Sequence, residues 1–386
     1  MVCLAGHSVH AQLNGDGYYR IQNVKTSRYM SLCDNKSAGG NIASMVVDAG
    51  ALVTKKDVNE VLTDPGTVFY IQKVNDSEYN ISAQGANLHG MINYYVRITA
   101  LTDGTYRAWQ EEKGQRLYLC DRVKDENYDL AQSYVDTKTT ATNTWYIKPV
   151  DQSSNYISVK PMLEQGGKYY TTFFAEFPFT LASSGMRALY INKLQDNGTA
   201  TYKVISGTVP AKTPVIIECS SADAANNKLQ IAATSPAAIT DNLLTGVYFG
   251  MGHEASDHFN STPFDATTMR VLGLSTDGSL AINNADTYMA DILTKVEVGY
   301  DEYHYPSIKA IPHNTAYVSV GTATPTELKL YAEGDPAGIT EIDTANDTTV
   351  AAPIYNLSGI MVRKSATSTD GLPQGVYIYK GKKVKR

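Results

Sequence analysis

Tyr19 to Asp34 aligns without a gap on Tyr106 to Asp121. Both stretches begin Tyr-Arg, and both end Leu-Cys-Asp fifteen positions after the leading tyrosine. Phe69-Tyr70-Ile71-Gln72-Lys73-Val74 matches the first half of that unit, with Tyr79 ten residues after Phe69 as Tyr29 is ten after Tyr19. Trp145-Tyr146-Ile147-Lys148-Pro149-Val150 is a fourth copy, followed by Tyr156-Ile157-Ser158-Val159. The leading aromatics Tyr19, Phe69, Tyr106 and Trp145 are thus 50, 37 and 39 residues apart. A recurrence at this period constrains a fold more than local propensity does, because one supersecondary unit is reused and its copies must bury each other. Each copy reads as a short strand, a polar turn and a second short strand, the signature of a hairpin. The repeated aromatics and aliphatics are expected to share one core inside a closed barrel. Binding groups then belong in the turns between copies, where the repeats stop matching.

Three hairpin-rich units of about forty residues, with a fourth leading strand closing on the first, describe a β-trefoil over residues 15–160. The pattern resembles the ricin-type β-trefoil lectins, whose repeats carry a Q-x-W motif. Its nearest forms here are Asn143-Thr144-Trp145, Thr67-Val68-Phe69 and Gly104-Thr105-Tyr106. None has the glutamine and one has the tryptophan, so the resemblance implies the fold and leaves that family's sugar sites open. Carbohydrate sites need an aromatic face and amide or carboxylate partners for hydroxyls. Asp34 with Asn35, and Asp121 with Arg122, follow second repeat strands, and Tyr94, Tyr95 and Trp109 supply faces. These seven are the carbohydrate-binding candidates. The first unit is the longest, and its segment Lys56 to Leu62 reads as a helical turn or two, broken by Asp64-Pro65-Gly66.

Composition sets the class. The chain has 386 residues, 43% hydrophobic and 19% charged, enough for two or three folded domains. Its 27 tyrosines favour strands. A formal charge of -6 gives no general grip on nucleic acid. No apolar run of about 18 residues reads as a transmembrane helix. Residues 1–11 read as the residue of a secretory signal, with Val9-His10-Ala11 as a small-x-small cleavage site before Gln12. Four cysteines, Cys3, Cys33, Cys120 and Cys219, are too few for a disulfide scaffold. Cys33 and Cys120 hold equivalent repeat positions and read as two buried thiols.

Pro161 to Gly167 reads as a linker into a middle region, residues 161–335, of short strands and regular turns. Ala188–Leu194 and Thr201–Ile205 flank an Asp196-Asn197-Gly198 turn, and Arg270–Leu274 and Thr276–Ile282 meet on Asp277-Gly278. A second echo pairs Val209-Pro210-Ala211-Lys212-Thr213 with Ile311-Pro312-His313-Asn314-Thr315, each a turn feeding a buried strand. Together these predict an antiparallel β-sandwich. Catalytic and metal motifs are weak here. His253 and His258 are five apart in a loop-like stretch, whereas one helix face presents two histidines at i and i+4. Gly246 to Gly252 lacks the lysine of a phosphate loop, and no G-x-S-x-G elbow occurs. Tyr300 to Tyr305 sets carboxylates beside aromatics without fixing their separation. No catalytic residue, metal site or cofactor is assigned.

Residues 336–353 read as a linker. Asp343-Thr344-Ala345 and Asp347-Thr348-Thr349 resemble the short O-glycan acceptor pattern of Bacteroidetes exports, which makes Thr344 and Thr348 glycosylation candidates. Ile354 to Val362, then Leu372-Pro373-Gln374-Gly375-Val376-Tyr377-Ile378-Tyr379, then a basic end, read as three short strands. The pattern over residues 354–386 resembles the C-terminal sorting module of Bacteroidetes surface and secreted proteins, including those of their type nine export system. That resemblance implies a secreted or outer-surface protein of a Gram-negative bacterium, with the export machinery as a partner. The reading is an all-β, non-catalytic protein whose trefoil head binds a glycan or glycoprotein. A polysaccharide-degrading glycoside hydrolase and an adhesive protein that binds another protein are the alternatives.

Overall fold

The computed structural model describes residues 13, 15–32, 52–55, 58–84, 86–87, 96–121, 138–151, 153–247, 262, 264–284, 294–297, 307–312, 314–335, 351–379 and 382–385. Strand dominates, and among the described residues the α-helical structure is one short element, α1 (Val58–Thr63), which overlaps the segment expected to turn helical and runs one residue past it. Asp64 ends it by accepting the Gly66 N–H on Oδ1 at 2.7 Å, and a 3-10 turn, Pro65–Thr67, follows.

The N-terminal strands are β1 (Gly17–Asn23), β2 (Tyr29–Leu32), β3 (Leu52–Lys55), β4 (Phe69–Lys73), β5 (Glu78–Ala83), β6 (Ala86–Asn87), β7 (Val96–Ala100), β8 (Tyr106–Glu112), β9 (Gln115–Tyr118) and β10 (Trp145–Pro149). Six of them close a ring in the order β1-β4-β5-β7-β8-β10, with β10 returning antiparallel onto β1. A closed ring leaves no edge strand. Side chains alternate across a strand, so Tyr19 and Ile21, Phe69 and Ile71, Tyr106 and Ala108, and Trp145 and Ile147 all enter one buried cluster. All four leading aromatics are therefore core. Their polar tips are satisfied as well: Trp145 Nε1–H donates to Leu119 O at 2.9 Å, and the Tyr19 hydroxyl donates to Gly15 O at 3.0 Å.

The hairpin expectation holds unevenly. β4–β5 and β8–β9 are full hairpins, whereas β1 meets β2 at a single pair, Gln22 and Tyr29. Ring closure takes priority on β1, which pairs along five residues with β10 and three with β4. The outer face of β1 is covered in part, with Arg20 fully buried. Tyr18 meets the Phe177 ring edge-on at 5.7 Å, and Arg20 donates to Thr67 Oγ1, Asn155 Oδ1 and Tyr156 O at 2.7–3.0 Å.

Beyond the ring come β11 (Ile157–Ser158), β12 (Leu163–Gln165), β13 (Lys168–Phe173), β14 (Phe179–Leu181), β15 (Arg187–Gln195), β16 (Thr199–Ile205), β17 (Val215–Cys219), β18 (Lys228–Ile231), β19 (Leu244–Val247), β20 (Met269–Leu274), β21 (Leu280–Asn283), β22 (Thr294–Glu297), β23 (Ser307–Ala310), β24 (Thr315–Ser319) and β25 (Glu327–Ala332). The stretch read as a linker is partly a strand: β12 pairs with β13 around Gly166-Gly167, both at positive φ. β11, which continues the fourth repeat in sequence, pairs with β18 in a small sheet, β11-β18-β14.

The large sheet runs β12-β13-β17-β15-β16-β25-β21-β20-β24-β19 and contains the same four-strand pattern twice. In the first, β13, β17, β15 and β16 lie side by side; in the second, β19, β24, β20 and β21. β25 joins them, parallel to β16 and antiparallel to β21. The registers agree: Ile216 lies opposite Thr172 and Leu189, and Val318 opposite Leu244 and Arg270. The echoed turns also agree, with Lys212 at φ 57° and Asn314 at φ 58°. At the seam the equivalent residues Phe174 and Gly246 touch, and a Cβ on Gly246 would lie 2.4 Å from Phe174 Cγ.

Both halves share one core that holds Leu189, Ile216, Leu244, Leu272, Ile282, Val318 and Leu328. The first half is also covered on its other face by Ile157, Phe179 and Leu229, and by Val68 from the ring. Hence all five residues of β17 are buried, as a strand packed on both faces requires. The C-terminal residues form a separate sheet, β27-β26-β28-β29, from β26 (Ala352–Asn356), β27 (Met361–Ala366), β28 (Val376–Tyr379) and β29 (Lys382–Lys385).

Candidate functional site

Of the sequence candidates, Asp34, Asn35, Tyr94, Tyr95, Arg122, Thr344 and Thr348 lie outside the described residues, as do Cys33, His253, His258 and Tyr300 to Tyr305. Trp109 and Asp121 are described, and each is already engaged. Trp109 is 9% exposed, and its Nε1–H donates to Thr99 Oγ1 at 2.9 Å. The Arg97 and Arg116 guanidinium carbons sit 5.0 and 4.4 Å from its ring centroid, within cation–π range. Arg97 is held there by Glu111 at 2.7 Å and Glu78 at 3.3 Å. Asp121 is fully buried and accepts from Arg28 Nε at 3.0 Å, from Arg28 Nη2 and from the Thr26 hydroxyl. It ties the turn after β1 to the chain after β9. Cys120 beside it is buried as well.

A depression with a volume of about 900 Å³ lies in the middle region. Three separate segments converge on it: Gly167-Lys168 at the β12–β13 turn, Ser183-Ser184-Gly185 after β14, and Cys219 to Lys228 between β17 and β18. Buried Asn227 shapes the last segment. Its Oδ1 accepts from Ser220 N, Ser220 Oγ and Ser221 N at 3.0–3.1 Å, and its Nδ2–H donates to Ser221 O at 2.8 Å. Ser183 Oγ accepts the Lys228 N–H at 2.9 Å, which fixes the second segment against the third.

Two ammonium groups flank the depression. Lys228 Nζ sits 4.1 Å from the Tyr156 ring centroid. Lys168 Nζ donates to Glu218 Oε1 at 2.6 Å, while Arg187 holds Oε2. Burial raises the Glu218 pKa, but the hydrogen bonds from Arg187 and Lys168 outweigh it, and the carboxyl sits below its ordinary value. One buried carboxylate thus answers two cations. The Cys219 thiol is pushed up to about 12 by burial and by Glu218, so it is no nucleophile at neutral pH. The lining contains serine hydroxyls, an asparagine amide and ammonium groups, and no carboxylate or imidazole. Such a surface donates and accepts hydrogen bonds; it does not present an acid and a base to one bond.

Sequence reading missed this depression because its parts are 15 or more residues apart and only the β13–β17 and β14–β18 pairings bring them together. The paired serines, Ser183-Ser184 and Ser220-Ser221, are the one local trace of it. Among the described residues no group of three or more His, Cys, Asp or Glu is placed to hold a metal, and no helix is long and apolar enough to cross a membrane.

No protein-family model matches the chain, and no curated protein matches it. Among solved structures, a chain from "Structure and mode of action of a mosquitocidal holotoxin" is similar at 10% identity over 79% of this chain and 34% of that one, with a TM-score of 0.27. This chain spans about a third of that chain's length, and a likeness so weak carries no argument about fold or activity.

Proposed function

We propose that this chain is an exported, non-catalytic glycan-binding protein. In this reading the ring is a β-trefoil head, the twice-patterned sheet is a β-sandwich support, and the C-terminal sheet is a sorting-type module that meets the export machinery. Its place is the outer surface or the medium of a Gram-negative bacterium of Bacteroidetes type. The observation that carries the reading is the closed six-stranded ring whose repeat aromatics are core, because it leaves the inter-repeat turns as the variable surface. Trefoils host unrelated functions, so the sugar reading leans on the resemblance to ricin-type lectins and on the hydroxyl and amide chemistry of the depression.

A glycan array probed with the full chain tests this. A defined set of glycans should bind, and no binding by folded protein overturns it. Two substitution sets then locate the site. Ser184→Trp fills the depression, and Asp34→Ala with Tyr94→Ala alters the turns of the head. Loss in the second set alone places the ligand on the head; loss in the first alone moves it to the depression. Turnover of a bound polysaccharide would favour the hydrolase instead.

A further inference from the structure

The C-terminal sheet has two unlike faces. Ile354 and Tyr377 are buried on one, under the end of β27 and the segment that follows it: the Tyr377 hydroxyl donates to Pro373 O at 2.9 Å, the Tyr379 hydroxyl to Ala366 O at 2.7 Å, and Arg363 Nη1 to Asp370 O at 2.7 Å. The β26–β27 turn is apolar and exposed. Leu357 is 48% exposed, Ile360 62%, Met361 49% and Val362 41%. Half of the eight exposed large hydrophobics among the described residues fall in these six positions. Such a cluster marks an interaction surface, whereas scattered apolar residues do not.

The turn is rigid. Asn356 Oδ1 accepts from Ser358 N at 3.0 Å and Ile360 N at 2.8 Å, Asn356 N–H donates to Ile360 O at 2.8 Å, and Gly359 takes φ 76°. The apolar side chains are therefore presented by a fixed backbone. The module is also basic. Residues 351–386 hold seven lysines and arginines and one acid, a formal +6 in a chain of total -6, so the preceding 350 residues carry -12. Asn356 lies opposite Tyr377, Tyr377 opposite Val384, and Val376 opposite Lys385. This register brings the end of the basic strand to the same end of the sheet as the apolar turn.

We propose that this module docks on an anionic lipid surface, with Leu357, Ile360 and Met361 entering the headgroup boundary and the β29 lysines meeting lipid phosphates. Apolar insertion combined with a basic cluster is the pairing that holds a protein on such a membrane without a spanning segment. Charge complementarity selects the occupant: a neutral apolar partner would not need the seven cations, and a cationic one would be repelled. The proposal does not depend on glycan binding.

Co-sedimentation of the full chain with vesicles tests it. Binding is expected to phosphatidylcholine vesicles that contain phosphatidylglycerol, and not to phosphatidylcholine alone. It should fall with added salt and persist in free inorganic phosphate. Leu357→Asp with Ile360→Asp, and separately Lys383→Glu with Lys385→Glu, should each lower binding by about tenfold or more. Val74→Asp, at an exposed apolar residue of the ring, should leave it unchanged. Ile360→Trp should shift its emission to the blue on anionic vesicles. Each variant is compared at an unaltered unfolding midpoint. Equal binding to both vesicle types, or full binding by the Leu357/Ile360 variant, overturns the proposal. So does an absence of vesicle binding together with self-association that the same substitutions abolish, which would make the acidic body of another copy the occupant.

Discussion

Gly246 shows how much one residue decides here. Its missing side chain makes room for the Phe174 ring at the seam of the two four-strand patterns. Gly246→Ala is expected to cost about 1–3 kcal/mol through overpacking, and Phe174→Leu should return part of that loss in the double variant. Urea unfolding of the two single variants and the double variant measures the coupling. Asp121 is decisive in another way. It and Arg28 are both buried, so Asp121→Ala breaks a buried ion pair, at a cost of about 3–5 kcal/mol. The same unfolding series reads it, and a loss below about 1 kcal/mol would show the pair to be solvated. Both roles were hidden in the sequence. An aspartate after a strand reads equally as a turn, a ligand or half of an ion pair, and a glycine says nothing of the ring that occupies its space. The repeat aromatics were legible, because alternation and recurrence together leave them only the core.

Strands built on recurrence could be read, and strands made by distant pairing could not. β15–β16 and β20–β21 sit on Asn-Gly and Asp-Gly turns whose glycines take φ 79° and 81°, so local chemistry announces them. β12 was concealed by its Gly-Gly turn, and the parallel meeting of β16 with β25 has no local signal at all. β17 carries the consequence for pH. Glu218 is the one charge in a strand buried throughout, and its carboxyl is held below the ordinary 4.5 by Arg187 and Lys168 against the effect of burial. A carboxylate depressed on folding contributes stability that is complete above its unfolded value and is lost as pH falls through the folded one. Stability should therefore drop on acidification below about pH 4.5. Glu218→Gln should lower stability at neutral pH and flatten that part of the acid slope. Unfolding midpoints across a pH series check both; an unchanged slope would assign it to other carboxylates.

At the scale of the molecule, ring and middle region are locked by buried polar groups. Asn314 Nδ2–H donates to Asp64 Oδ1 at 3.0 Å, Gln84 Nε2–H donates to Asn314 Oδ1, and Glu176 N–H donates to Gln84 Oε1 at 3.1 Å. Tyr18, Val68 and Val150 of the ring side also pack on a core of the middle region. The two parts should unfold in one calorimetric transition. Asn314→Gly keeps the positive φ and removes the side-chain bonds, so it should cost about 2–4 kcal/mol and separate that transition into two. Two transitions already present in the parent chain would mean that the lock is weak.

The closing of the ring has a further consequence, for the order in which the chain acquires structure. Tyr19 pairs with Pro149, so the first strand waits for the last across almost the whole N-terminal region. Contacts of such separation form slowly, because loop closure must precede any reward. A nascent or partly translocated chain that stops before Trp145 holds two unpaired edges and an open core. It stays extensible and available to chaperones or proteases until the final strand arrives.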